Sequence, residues 1–456
     1  MDVDVVVIGT GQAGVPLAAR LAKAGRRVLI AERAEPGGTC VNVGCTPTKT
    51  MIASARAAHV ARTAGRLGVR AGAVEVDLAA VVERKDRIVR QWREGILKRL
   101  QGAGQNLTLV RGHARFAGER EIEVAGQRHR APAVVINVGA RPALPPLPGL
   151  AGVPWLDNRR VMELVRLPEH LVVLGGGYIG CELGQMFRRF GSEVTIADRN
   201  EHLLSREDDE VSAAIEEAFR AEGIRLVLGQ GASAVAADGA GVRVRLADGS
   251  DLRGSHLLVA VGRRPNTDDL GCEAAGVRLD EKGFVVVDDD YRASAAGVYA
   301  VGDATAQPQF THTSWDDHRV LFDRLIGRPA RPRSARLIPY TVFTDPQVAG
   351  VGLTEKAARS RGLVHETASM PFGLVARAIE TGETAGAMKI LVDPGTERIL
   401  GATLVGAEAG ELIHVLVALM QAGAPARAIV EAQFVHPTFA EGVQSLVMRL
   451  PRFALE

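Results

Sequence analysis

Cys40 and Cys45 stand five positions apart in the run GGTCVNVGCTPTK, framed by Gly37, Gly38 and Gly44. In a regular helix, residues i and i+5 are separated by roughly 7.5 Å along the axis alone. That exceeds the Cα separation of about 7 Å that a disulfide tolerates. The glycines give the backbone conformations closed to other residues, so the expected arrangement is an irregular turn bringing Cys40 back over Cys45, with a helix starting near Thr46-Pro47. A thiol at a helix N-terminus has its thiolate stabilised, which suits exchange chemistry. Two inert buried cysteines are the plain alternative, and the glycine frame speaks against it. The pair reads as a redox-active disulfide.

The elements that must position this pair begin with a βαβ unit. Val5 to Ile8 is a β-branched run suited to a buried parallel strand. The turn Gly9-Thr10-Gly11-Gln12-Ala13-Gly14 follows it, then a helix carrying Leu17 and Leu21 that ends near Gly25. A second strand, Val28 to Ala31, leads into Glu32. A GxGxxG turn alone is weak evidence. Between a strand and a helix, with an acid some 20 residues on, it is a dinucleotide fingerprint. The helix N-terminus would take a pyrophosphate and Glu32 the adenosine ribose. Gly175, Gly177 and Gly180 repeat the spacing after the strand Leu171 to Leu174, with a helix closing at Gly191 and a strand 194–197 ending at Asp198-Arg199. Two fingerprints imply two dinucleotides. The proline-rich stretch 141–148 between them reads as an extended linker.

With 456 residues the chain is too long for one core and suggests about three domains. Net charge is +2, from 55 basic and 53 acidic residues, so no nucleic-acid-binding face is implied. No apolar stretch approaches the ~18 residues a bilayer span needs, and the opening segment is a short strand rather than a basic signal region. A cytoplasmic location without membrane association is expected. Four cysteines in a chain of this length argue for catalysis rather than a secreted disulfide framework. Cys181 and Cys272 read as core residues without zinc-like spacing to His312, His318 or His414, so no structural metal is assigned. Asp316 and Asp317 read as a solvated helix face.

GGTCVNVGC and the two fingerprints resemble the flavin-dependent pyridine nucleotide–disulfide oxidoreductases, over essentially the whole chain. The resemblance implies an α/β fold of two Rossmann-like dinucleotide-binding domains, for FAD and NAD(P), plus a C-terminal α+β dimerisation domain. The corresponding boundaries are 1–145 with 269–335 for FAD, 146–268 for NAD(P)H and 336–456 for the interface. It further implies FAD, NADH or NADPH, and an obligate homodimer. Cys45 would face the flavin and Cys40 exchange with the substrate. Val298-Tyr299-Ala300-Val301-Gly302-Asp303 matches a second flavin motif that places Asp303 at the ribitol, and Thr39 and Gly139 fall at flavin-contacting positions. Lys49 would pair with Glu182 beside the flavin, and Tyr178 matches the aromatic that covers the nicotinamide pocket. His436 opens the base motif HPTxxE, with Glu441 orienting its imidazole. In the family this histidine reaches the site from the partner subunit.

The segments 46–52 and 307–310 look most like mercuric reductase and related bacterial stress flavoproteins. No cysteine follows Cys272, however, and no metal-binding domain precedes the first strand, so efficient mercury reduction is not expected. The resulting expectation is an NAD(P)H oxidoreductase whose acceptor is a disulfide, a metal ion such as Cu(II) or Hg(II), or a quinone. Dihydrolipoamide dehydrogenase is the alternative, and a non-turnover redox sensor is the alternative of another class. Asp198 stands where an acid binds the ribose hydroxyls of NADH. Arg199 stands where mercuric and glutathione reductases place an arginine for the 2′-phosphate of NADPH. The balance falls toward NADH, with NADPH tolerated.

Overall fold

Val5–Ile8 is buried along its whole length at the centre of a five-stranded sheet, as a strand covered on both faces requires. The computed structural model describes residues 3–454. Across the sheet the order is Val298–Ala300, Ala133–Ile136, Val5–Ile8, Val28–Glu32 and Leu107–Arg111. Every neighbouring pair is parallel. Alternation sorts the side chains. Val5, Val7, Val28, Ile30 and Val135 join the core formed with helices Gly14–Lys23 and Thr311–Leu325. Val6, Ile8, Leu29, Ala31, Val134 and Ile136 face Phe116, Ile122 and Val124 of a small antiparallel sheet. These elements form one compact unit, running to Thr50 and then over 80–143 and 262–336.

The second unit comprises 51–79, 144–261 and the chain from 337 onward. It contains a second parallel sheet, ordered Arg225–Val227, Glu193–Ala197, His170–Leu174, His256–Val259 and Trp155–Leu156. The helix Tyr178–Phe190 follows its central strand and stops at Gly191, whose φ of 126° suits glycine alone. A separate antiparallel sheet runs Tyr340–Val342, Gln347–Gly352, Ile399–Gly406, Ala387–Val392 and Glu366–Pro371. Helices Ala409–Ala422 and Glu441–Val447 share its core through Leu412, Leu416, Val443 and Leu446. Two Rossmann-like sheets and an α+β C-terminal region are thus present, as expected. Among the described residues no helix is long and apolar enough to cross a membrane.

Candidate functional site

The cysteine pair is shaped by glycine. Gly37 and Gly38 have φ of 113° and 63°, and a Cβ on Gly38 would lie 2.8 Å from the Gly11 Cα. Instead of an irregular loop, a short helix Gly38–Val43 carries Cys40 and breaks at Gly44, with φ −123° and ψ −121°. A Cβ there would meet the Thr39 carbonyl oxygen at 2.8 Å and the Cys40 Cα at 3.1 Å, so only glycine lets the chain fold back this tightly. The long helix Cys45–Thr63 then starts at the second cysteine itself. Lys49 lies one turn further along it. Cys40 is half-buried and Cys45 exposed. The Cys45 Sγ sits 3.1 Å from the Thr311 Oγ1. A hydrogen bond to Cys45, and then burial, push the Cys40 thiol well above the ordinary range. A sulfur in that state becomes a nucleophile only when a base takes its proton.

The two fingerprints fold alike, for the same steric reason. A Cβ on Gly9 would approach the Asn137 carbonyl oxygen to 2.4 Å, and one on Gly175 the Ala260 oxygen to 2.5 Å. A Cβ on Gly14 would reach the Gly9 oxygen at 2.2 Å, and one on Gly180 the Gly175 oxygen at 1.9 Å. At Gly177 a Cβ would meet nothing, which leaves room for a pyrophosphate against the helix N-terminus. Glu32 is buried at its strand end and accepts the amides of Thr10 at 3.0 Å and Ala34 at 2.8 Å. Asn137, which the sequence reading passed over, donates to the Gly9 carbonyl at 3.0 Å. A side-chain amide immediately after a buried strand was the available signal.

Asp303 follows Gly302, whose φ is 67°. Burial pushes its carboxyl above the ordinary range, opposed by Arg263 at 3.6 Å. Among the described residues the buried Arg263 Nε has no hydrogen-bond partner, so a polar ligand at this spot would satisfy a group left open. Gly139, just after Asn137, has a φ of 65° and open space where a Cβ would stand. The Thr39 hydroxyl is 3.5 Å from the Ala140 carbonyl. The donors and cradles present fit a flavin dinucleotide. Contrary to the solvated face expected of it, Asp317 points inward. It is fully buried, and it accepts the Gly302 amide at 2.7 Å, the Gln307 side chain at 2.8 Å and the Tyr291 hydroxyl at 2.9 Å, besides pairing with Arg336. Asp317 therefore holds the turn that presents Asp303.

In the second unit, Asp198 accepts the Gly176 amide at 2.6 Å and the Asn200 backbone and side-chain nitrogens at 2.8 and 2.7 Å. Arg199 beside it is exposed. Tyr178 opens the fingerprint helix. Glu182, buried one turn on, accepts the Phe343 amide at 2.8 Å. Cys181 is buried, with its Sγ 3.3 Å from the Gly176 carbonyl. Burial also pushes its thiol well up, as an inert core cysteine requires. The His436 Nδ1 lies 2.9 Å from a Glu441 carboxylate oxygen, while the ring is largely exposed. A carboxylate cannot donate, so the Glu441 contact favours the tautomer in which Nδ1 carries the proton and Nε2 can accept. Among the described residues Asp208, Glu210 and Glu355 also converge, around the Lys389 ammonium.

Comparison with known proteins agrees with this geometry. The family model for pyridine nucleotide-disulphide oxidoreductases matches residues 3–317, and the dimerisation-domain model of the same family matches 338–447. A mercuric reductase of Lysinibacillus sphaericus is 35% identical over 97% of this chain and 81% of its own. The dihydrolipoyl dehydrogenase of Thermus scotoductus is 37% identical, covering 99% of this chain and 98% of its own. A solved Cu(II) complex of the HOCl-induced flavoprotein disulfide reductase RclA from Escherichia coli superposes with a TM-score of 0.90. It is 33% identical and covers 98% of this chain and 99% of that one.

Proposed function

Since the chain belongs to the pyridine nucleotide-disulphide oxidoreductase family, whose members use FAD and NAD(P)H, we propose that it passes electrons from NAD(P)H through FAD and the Cys40–Cys45 pair to a small acceptor, in the manner of the mercuric-reductase-like flavoproteins. The observation that carries this reading is the Gly44 break, which folds the chain back so that Cys40 lies within hydrogen-bond reach of Cys45 at the start of a long helix. The domains proposed are those outlined above, with 1–145 and 269–335 for FAD, 146–268 for NAD(P)H and 336–456 for a homodimer interface.

Bound FAD would accept a hydride and hand two electrons onward. Gly9, Gly11, Gly14, Glu32, Thr39, Gly139 and Asp303 are assigned to holding it, and Gly175, Gly177, Gly180, Asp198 and Arg199 to the nicotinamide dinucleotide. Lys49 and Glu182 are assigned as a charged pair at the flavin, and Tyr178 as the cover of the nicotinamide pocket. For a disulfide acceptor, His436 Nε2 of the partner subunit takes the Cys40 proton while Glu441 keeps the opposite nitrogen protonated. The Cys40 thiolate then attacks one acceptor sulfur and expels the other. Cys45 closes the intramolecular disulfide and releases the second thiol, so the pair is oxidised by two electrons as the acceptor gains two.

Cu(II), Hg(II), quinones and disulfides are the acceptor classes proposed. The likeness to a flavoprotein solved with Cu(II) favours the first. Dihydrolipoamide oxidation is the second reading, supported by the 37% identity to a dihydrolipoyl dehydrogenase. An anaerobic panel following NADH and NADPH oxidation with lipoamide, glutathione disulfide, Hg(II), Cu(II) and quinones tests both. Preferential turnover with lipoamide would replace the first reading by the second. No turnover with any acceptor would favour a sensing role.

A further inference from the structure

We propose that Glu207 and Tyr340 form a latch on Tyr178, tethering its ring and thereby setting how readily NADH reaches the nicotinamide pocket. The inference rests on the reading of Tyr178 as the ring that covers that pocket. The Tyr178 hydroxyl donates to one Glu207 oxygen at 2.9 Å, and the Tyr340 hydroxyl donates to the other. The two rings lie stacked with centroids 5.9 Å apart and planes within 9°. One carboxylate thus clamps both phenols. Glu207 is only 2% exposed, an unusual place for a carboxylate that does nothing. Burial and the nearby carboxylate push both phenols upward, so they stay protonated and keep donating.

Glu207 is itself held in place from several directions. The Lys356 ammonium donates to its carbonyl at 2.7 Å. The adjacent Asp208 carboxylate accepts the amides of Glu355 and Lys356 at 3.0 and 2.9 Å. On the other side, Leu204 adopts a φ of 50° and donates its amide to the Gly176 carbonyl at 2.9 Å. The segment bearing the latch is therefore fastened to the glycine turn that Tyr178 follows. Swinging the ring aside requires Tyr178 to leave a charged acceptor and an aromatic stack. Apparent affinity falls with the fraction of molecules in the open state. A charge-assisted hydrogen bond is strong enough to change that fraction about tenfold.

The test is anaerobic stopped-flow reduction of the FAD-loaded protein by NADH, read as a dissociation constant and a limiting rate. Tyr178→Phe keeps the ring and deletes the tether, so the NADH dissociation constant is expected to fall on the order of tenfold, with the limiting rate not following it. Glu207→Gln should act in the same direction, and combining it with Tyr178→Phe should add nothing, because both remove one interaction. Should Glu207→Gln fold poorly, Tyr178→Phe alone carries the test, since Tyr340→Phe leaves the Tyr178–Glu207 bond in place. An unchanged or raised dissociation constant in Tyr178→Phe, or additive effects in the double variant, overturns the latch. Tyr178→Ala separates the two ideas. A shift in Tyr178→Ala without one in Tyr178→Phe leaves the covering role standing and removes the latch. No shift in either removes the covering role, and the latch falls with it.

Discussion

Cys40 and Cys45 differ in their surroundings more than in their chemistry. Cys45 begins a 19-residue helix and lies against the Thr311 hydroxyl, whereas Cys40 is half-buried with its thiol pushed up by Cys45. If the pair is the proposed redox disulfide, its two electrons added to two in the flavin make four per chain. Anaerobic titration with NADH should therefore consume about two equivalents in the wild type and one in Cys40→Ser or Cys45→Ser. Both variants should retain folded absorbance and lose disulfide-dependent turnover. Uptake of a single equivalent by the wild type would remove the redox disulfide. After the second fingerprint's strand, Asp198 is pinned by the Gly176 amide while Arg199 is exposed. A fixed carboxylate repels a 2′-phosphate, and an exposed arginine pairs with one only weakly. The expected kcat/KM order is NADH above NADPH, and Asp198→Ala should move the ratio toward NADPH. A clear NADPH preference in the wild type would refute this assignment.

The turn 302–305 shows how an element can depend on a residue outside it. Gly302 donates its amide to Asp317, 15 residues along on the helix Thr311–Leu325. That carboxylate also takes up Tyr291, Gln307 and Arg336. Asp317→Asn keeps the shape but removes the nearer charged partner of the buried Arg336, leaving it only Asp316 at 3.7 Å, and losing a buried pair is strongly destabilising. The turn presenting Asp303 should loosen with it. Equilibrium dialysis is expected to show FAD binding weakened at least about tenfold, the equivalent of 1.4 kcal/mol of differential stabilisation. Asp316→Asn should leave FAD binding near wild type, since Asp316 is paired mainly with the exposed Arg331. Equal effects of the two substitutions would contradict the role given to Asp317.

Across the whole molecule, the assignment of His436 predicts complementation between inactive variants. A homodimer of Cys45→Ser lacks the thiol pair at both sites, and a homodimer of His436→Ala lacks the base at both. If each site uses the partner subunit's His436, the mixed dimer contains one complete site. Random exchange of subunits should then restore about a quarter of wild-type disulfide reduction, half the dimers being mixed and each having one of two sites intact. Copurification with distinct tags would isolate the mixed species. An inactive mixed dimer would place the histidine in the same chain as its cysteines. Flavin reduction by NADH should be unaffected in His436→Ala, because the base serves only the exchange at Cys40.

Local chemistry determined the parts of this protein that repeat or break regular structure. Strands buried on both faces are unbroken apolar runs, and glycine positions that carry backbone contacts admit no other residue. The two parallel sheets, both fingerprints and the Cys40–Gly44–Cys45 fold-back were therefore legible in the chain itself. His436 and Glu441 stood out only through the HPTxxE motif, and the structure brings the two, five positions apart, to 2.9 Å. Tertiary structure decided what local pattern cannot express. Asp316 and Asp317 are adjacent acids on one helix, and only the approach of Tyr291 and Arg336 from elsewhere in the chain makes the second of them buried. Glu207 stands in the run of four acids Glu207-Asp208-Asp209-Glu210. Its burial depends on Tyr340, 133 residues away. A carboxylate is hydrophilic in any window of sequence, and whether it meets water or a phenol is settled by chain segments the window does not contain.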